Sequence, residues 1–157
     1  MIFFQQLHDL CVERNVFVAT AESCTAGLIA SKLTLKSGSS TFFKGGIIAY
    51  QNDIKIEILG VDEQAILEYT EVSAEVVRQM AEGARNFFSV DYSIATSGYA
   101  GPSGGTNNNP IGTVFIAISS SSGVNVERFV FSGDRQSVVN QASEKSLGLL
   151  YDAIKKH

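Results

Sequence analysis

The sequence predicts an α/β domain: a mixed, mostly parallel sheet with one antiparallel strand and helices on both faces. Three observations predict it. Short apolar runs alternate with amphipathic helical stretches through the first part of the chain. Two late runs, Val114–Ile118 and Val124–Phe131, are joined by the turn-formers Ser119 to Gly123 and read as a hairpin. The 157 residues are 45 % hydrophobic and 18 % charged, which suits one domain over 1–157 with a real core.

The elements follow in order. Residues 2–14 have a helical pattern, 16–21 an apolar strand pattern, and 24–35 a helical one. Ser37-Gly38-Ser39-Ser40 is a loop, and Gly45 to Tyr50 a second strand. Asn52 or Asp53 caps a short helix that carries Lys55 and ends at Gly60. Residues 62–68 form a further helical turn or two. Ser73 is an N-cap with Glu75 in the first turn, followed by the apolar face Val76, Val77, Met80, Ala81, Ala84, Phe87 and Phe88. Tyr92 to Thr96 is a strand, and 97–110 is a loop rich in Gly, Ser and Asn. Asp134 caps a long last helix.

Composition excludes several classes. A net charge of −4 with no dense Lys/Arg cluster argues against nucleic-acid binding. No apolar run spans a bilayer, and no signal peptide is evident, so a cytoplasmic location is the default expectation. Cys11 and Cys24 are the only cysteines, and His8 and His157 the only histidines. That leaves no metal-ligand spacing and no disulfide framework. It also leaves no well-placed imidazole for a Ser–His–Asp triad. If a serine is the nucleophile here, its base is not histidine.

The chemistry concentrates in three segments that reach the carboxyl edge of the sheet, where ligands bind in open α/β folds. The first is Ala21-Glu22-Ser23-Cys24-Thr25-Ala26-Gly27. It sets small nucleophiles where a strand turns into a helix, beside amide groups that hold an anion or a developing oxyanion. The plain alternative is an N-cap. The second runs from Tyr50 to Lys55. Burial lowers a lysine's pKa and makes it a base for serine, with Tyr50 to relay or orient; the plain alternative is a solvated cation. The third is Ser97 to Gly105, whose four glycines let backbone amides approach a ligand. It matches neither a GxxxxGK[ST] loop nor a GxGxxG turn, so ATP and NAD sites have no support. Arg135, at the start of the last helix, is placed to clamp a phosphate or to lie exposed. Glu22 either braces the site by accepting hydrogen bonds or balances a helix dipole.

Together these motifs form an ordered series: AESCTAG; SGSS…F…GG…Y over 37–50; Tyr50 and Lys55 in Y-x4-K; LGV at 59–61; VS…MAEGA over 72–84; SGYAGPSGG at 97–105; PIGTV at 110–114; and FSGDR at 131–135. The series closely resembles the CinA C-terminal domain family, also called PncC, the nicotinamide-nucleotide amidohydrolases of the competence/damage-inducible proteins. The resemblance implies a single three-layer α/β/α domain. It also implies hydrolysis of the carboxamide of nicotinamide mononucleotide to nicotinate mononucleotide and ammonia, without metal or organic cofactor. The family's catalytic serine, tyrosine and lysine fall on Ser23, Tyr50 and Lys55. Its hydroxyl residue before GxAGP falls on Ser97 and its FSGDR arginine on Arg135.

The expected substrate-binding residues are Glu22, Thr25, Gly46, Ser97, Gly98, Gly101, Gly104, Gly105 and Arg135. A small-molecule nucleotide is the expected partner, with no nucleic acid or membrane, and the family leans toward a homo-oligomer, a dimer or higher. Ala26, Tyr99, Asn109 and the stretch around Glu71 depart from the family's usual residues. Three alternatives stay open: a Cys24-dependent amidase, an amidase with a different substrate, and a nucleotide-binding module without turnover.

Overall fold

The structure, a computed structural model, describes residues 2–157. Five strands form one sheet: β1 (Val18–Glu22), β2 (Phe43–Ile48), β3 (Tyr92–Gly98), β4 (Thr113–Ser120) and β5 (Gly123–Val130), in the order β2-β1-β3-β4-β5. β1 pairs in parallel with both β2 and β3, while β4 pairs antiparallel with β3 and with β5. Only β4 therefore runs against the others. The β4–β5 hairpin turns through Ser121 and Ser122.

Six helices cover the two faces: α1 (Ile2–Arg14), α2 (Leu28–Leu33), α3 (Asn52–Glu57), α4 (Glu63–Tyr69), α5 (Ala74–Phe88) and α6 (Arg135–Lys156). On one face, Leu7, Ile29, Leu33, Leu147 and Leu150 pack onto Ile94 and Ile116. On the other, Val76, Val77, Met80, Ala81 and Ala84 of α5 pack onto Ala21, Ala95 and Ala117. Those three alanines are consecutive cross-strand neighbours, so they form a row of small side chains beneath α5. Ser93 Oγ donates to the Ala81 carbonyl at 2.6 Å, which shows how closely helix and sheet approach. The period-2 alternation of each strand thus feeds two separate cores, giving the three-layer α/β/α arrangement.

The caps at Ser73 and Asp134 form as expected: Ser73 Oγ accepts from Val76 N at 3.2 Å and Asp134 Oδ1 from Ser137 N at 2.9 Å. Three expectations need correction. The second helix begins at Leu28 rather than at 24, because Ala26 (φ 47°) and Gly27 (φ 93°) adopt the left-handed conformation, which a right-handed helix cannot contain. The third helix ends at Glu57 rather than at Gly60, and the residue before it, Gln51, makes no side-chain cap bond. β1 and β2 are displaced from the expected ranges by two residues at one end or both, as apolar runs fix a strand's existence better than its ends.

Candidate active site

The carboxyl ends of β1, β2 and β3 bring the three segments together in a cleft of about 400 Å3. Ser23 follows β1 directly. Its N–H donates to the Thr96 carbonyl on β3 at 3.1 Å and its own carbonyl accepts from Ala26 N at 3.1 Å, closing a tight turn. The turn is held from below by Glu22. That carboxylate is 1 % exposed and accepts from Thr25 Oγ1 (2.7 Å), Ile29 N (2.9 Å) and Ala30 N (3.0 Å). Thr25 Oγ1 also meets Thr96 Oγ1 at 2.8 Å.

This arrangement changes the expected oxyanion site. The helix lies five residues beyond Ser23, and two of its first free amides are already satisfied by Glu22. The next amides along the chain from Ser23 are those of Cys24 and Thr25, and among the described residues no carbonyl accepts from either. Glu22 and Thr25 are bonded to the protein and are not among the cleft's lining residues.

Lys55 is 1 % exposed although it carries an amine. It sits on the short helix α3, and its Nζ donates to the Tyr50 carbonyl at 3.4 Å. Burial pushes its pKa below the ordinary lysine value, against a smaller opposing pull from the Glu71 carboxylate and the Cys24 sulfur. Lys55 and Ser23 line the same cleft, and no direct hydrogen bond joins their side chains among the described residues. Cys24 is buried as well, and burial pushes its thiol up to about 12. At neutral pH it is a protonated, poorly nucleophilic thiol.

Tyr50 and Arg135 both line the cleft. Arg135 Nη2 donates to the Tyr50 phenol oxygen at 2.8 Å and Nη1 to the Gly101 carbonyl at 2.7 Å. Both side chains also border an adjoining hollow of about 590 Å3 that includes Gly101, Ile111 and the start of α6. Elsewhere in the lining, Ser97 Oγ is buried and donates to the Glu71 carbonyl at 2.7 Å, and Gly98 follows it in the chain.

Of the residues expected at the site, the cleft therefore gathers Ser23, Tyr50, Lys55, Ser97, Gly98 and Arg135, with Gly101 in the adjoining hollow. Gly46, Gly104 and Gly105 line neither. A Cβ on Gly46 would lie 2.1 Å from Thr20 Oγ1, so this glycine serves close packing of β2 on β1. Gly105 (φ 81°) lets its loop pass the Ile111 backbone, which a Cβ would approach to 2.9 Å.

Several lining residues did not stand out in the sequence as site residues, Gln51, Asn52, Tyr99 and Ser103 among them, and the one charged group of that set is Glu71. Its signal lay in topology. The helix after a parallel strand starts at the carboxyl edge of the sheet, and Glu71 stands two residues before the cap of α5. Among the described residues no group of three or more His, Cys, Asp or Glu is arranged to hold a metal, and no helix is long and apolar enough to cross a membrane.

Residues 3–154 match the CinA C-terminal domain. A CinA-like protein of Fervidobacterium nodosum is 43 % identical over 150 residues, which covers 96 % of this chain and 37 % of that protein. A CinA-like protein of Flavobacterium psychrophilum is 40 % identical over 151 residues, covering 96 % and 36 %. The chain thus spans little more than a third of the length of these curated relatives. Among solved structures, a competence-damaged protein (CinA) superfamily protein from Klebsiella pneumoniae superposes with a TM-score of 0.95 at 29 % identity, covering 99 % of this chain and 98 % of that one. A second, from Enterobacter cloacae, gives a TM-score of 0.92 at 34 % identity, covering 97 % and 90 %.

Proposed function

This chain belongs to the CinA C-terminal domain family, and within that family we propose that it is an amidohydrolase that converts nicotinamide mononucleotide to nicotinate mononucleotide and ammonia. The observation that carries the reading is a lysine amine, 1 % exposed, that opens onto the same polar cleft as a serine in a strand-end turn. An ammonium is costly to bury, so the neutral amine is favoured there, and a neutral amine is what a serine needs as its base.

In this reading Ser23 Oγ attacks the carboxamide carbon as Lys55 Nζ takes its proton. The two side chains are drawn into hydrogen-bond reach when substrate fills the cleft, as apo sites are commonly looser than their working geometry. The tetrahedral oxyanion is held by the turn amides of Cys24 and Thr25, not by the amides of α2 that Glu22 occupies. Lys55 returns the proton to the departing ammonia. Water then attacks the acyl-serine and gives a proton to Lys55, which passes it to Ser23 Oγ as the ester C–O bond breaks, so that the carboxylate is released and both side chains are restored.

Arg135 has donors beyond those used on Tyr50 and Gly101, and it supplies the cation for the phosphate. Ser97 and Gly98 form the wall beside the ring. The scheme uses no cofactor. The setting that goes with it is a cytoplasmic homo-oligomer acting on a free nucleotide.

The test is ammonia release from nicotinamide mononucleotide by the wild type and by Ser23→Ala. Release by the wild type alone supports the assignment. Equal rates would remove Ser23 as nucleophile. Substrate binding without release by the folded wild type would instead favour a binding module.

A further inference from the structure

Glu71 contributes the one carboxylate among the residues that line the cleft. It is half-buried, it shares the cleft with Lys55, and among the described residues its carboxylate has neither an ion-pair partner nor a hydrogen bond. Its backbone, by contrast, is held firmly. Ser97 Oγ donates to its carbonyl at 2.7 Å, and Ser73 Oγ donates to the carbonyl of the preceding Thr70 at 2.9 Å. Thr70 adopts φ 71°, ψ 165°, a region that is nearly exclusive to glycine and especially unfavourable for a β-branched residue. Strain of this kind persists where surrounding contacts over-determine it, and it clusters at functional sites. Here it delivers an unpaired carboxylate into the cleft that holds the lysine.

We propose that Glu71 selects substrates whose carboxamide sits on a cationic ring, by placing its carboxylate against the positive N-ribosyl pyridinium. This rests on the reading of the site as a nucleotide amidohydrolase. A carboxamide held between Ser23 and Lys55 keeps its ring in the neighbourhood of Glu71, and the attraction is strengthened by partial exclusion of water. Arg135, held on Tyr50 and Gly101, lines the same cleft and meets the opposite charge of the phosphate, so Glu71 and Arg135 offer one anion and one cation to a zwitterionic nucleotide. The same pairing serves the base. An unpaired Glu71 favours the charged form of Lys55, and a cationic ring offsets that field at the moment Lys55 must act as an amine. A neutral amide gains neither effect.

The experiment compares two substrates, nicotinamide mononucleotide and its carbon isostere 3-(5-phosphoribosyl)benzamide, which carries the same carboxamide and phosphate on a neutral ring. The wild type, Glu71→Gln and Glu71→Asp are each assayed for ammonia release from both. The expected result is that Glu71→Gln lowers kcat/KM for the cationic substrate by about tenfold or more while that for the isostere does not fall, and rises where the lost carboxylate had kept Lys55 charged, and that Glu71→Asp keeps most of the preference. A residue that only braced the fold or tuned Lys55 would move both substrates together. An unchanged ratio in Glu71→Gln, whether both rates fall or neither does, overturns the inference and leaves the amidohydrolase reading standing. Release from neither substrate by the folded wild type overturns that reading, and the inference with it.

Discussion

Arg135 Nη2 lies 2.8 Å from the phenol oxygen of Tyr50, a bond between residues 85 positions apart in the chain. It fastens the first residue of α6 to the residue that leads from β2 toward Lys55. Tyr50 thereby makes two contacts with different chemistry: its phenol accepts from a guanidinium, and its carbonyl accepts from the Lys55 amine. A phenol oxygen that accepts from a cation keeps its own O–H free to donate. In the proposed reaction this suits Tyr50 to orienting a ligand and Arg135 to anchoring an anion, and leaves Lys55 as the base.

Removing either partner should separate binding from chemistry. Arg135→Ala is expected to raise KM for nicotinamide mononucleotide by about tenfold or more, a charge-assisted contact being worth roughly 1.5–3 kcal/mol. Nicotinamide riboside, which lacks the phosphate, should be affected little. Because both side chains are exposed, thermal unfolding should move little, by within about 0.5 kcal/mol. Equal losses on both substrates in steady-state kinetics would show that Arg135 does not read the phosphate.

Ser23 and Cys24 are neighbours with opposite expectations. The thiol's pKa of about 12 leaves almost no thiolate at neutral pH. Cys24→Ala should therefore retain activity within a few-fold, whereas Ser23→Ala should lose it by about a thousandfold or more, as expected when a nucleophile is deleted. Alkylation by iodoacetamide should likewise be slow in the folded protein and fast after unfolding. Rapid loss of activity under iodoacetamide, prevented by substrate, would instead point to the cysteine.

Much of this site was legible in the sequence, for identifiable reasons. The turn after β1 announces itself through a strand pattern that ends in small hydroxyl residues, and the shortage of histidine points to lysine. Other features required coordinates. Whether Glu22 faces a ligand or the protein depends on where α2 begins, which rests on the left-handed conformations of Ala26 and Gly27. Nothing in the composition of this stretch forces an alanine into that conformation. Glu71 reaches the site through a strained turn at Thr70, and a threonine gives no signal of positive φ. Gly46 and Gly105 look the same as ligand-facing glycines in a sequence, because close approach to another backbone and close approach to a ligand place the same demand on Cβ.

Ala26 offers a direct test of that turn. It is exposed and held at φ 47°, where an alanine costs roughly 1 kcal/mol or more relative to its right-handed form. Ala26→Gly should stabilise the fold by up to about 1 kcal/mol, with part of the gain offset by the greater freedom of glycine in the unfolded chain. Urea unfolding measures this as a rise in midpoint at constant slope. A fall in midpoint would mean that the turn is not left-handed at residue 26.

Lys55 couples activity and stability to pH with defined signs. Its folded pKa is below the ordinary lysine value of 10.5, so kcat/KM should rise with pH and level off above the depressed pKa, where the amine is neutral. Between the two pKa values the unfolded chain binds more protons than the folded one, so this residue's contribution makes stability rise with pH across that window. Below the window the buried ammonium costs its full amount. Lys55→Met should abolish activity and raise stability at neutral pH, with the gap between mutant and wild type narrowing as pH rises toward 10.5. Chemical denaturation at several pH values reads that gap. A gap that widens with pH would mean that Lys55 is charged and paired in the folded state.

Glu22→Gln is the sharpest probe of the scaffold beneath the nucleophile. The carboxylate satisfies three donors: one oxygen takes Thr25 Oγ1 and Ile29 N, and the other takes Ala30 N. Glutamine has a single acceptor oxygen. Its NH2 group would face a backbone N–H or the Thr25 hydroxyl, leaving at least one buried donor unpaired at a cost of about 1–3 kcal/mol. Activity should fall by more than the loss of folded protein accounts for, because Thr25 and the amides of the Ser23 turn lose their brace together. The decisive comparison is kcat per folded molecule at a temperature where both proteins are fully native. An unchanged kcat in a destabilised protein would confine Glu22 to stability; a fall in kcat with KM preserved would show that this buried carboxylate sets the geometry of the attack.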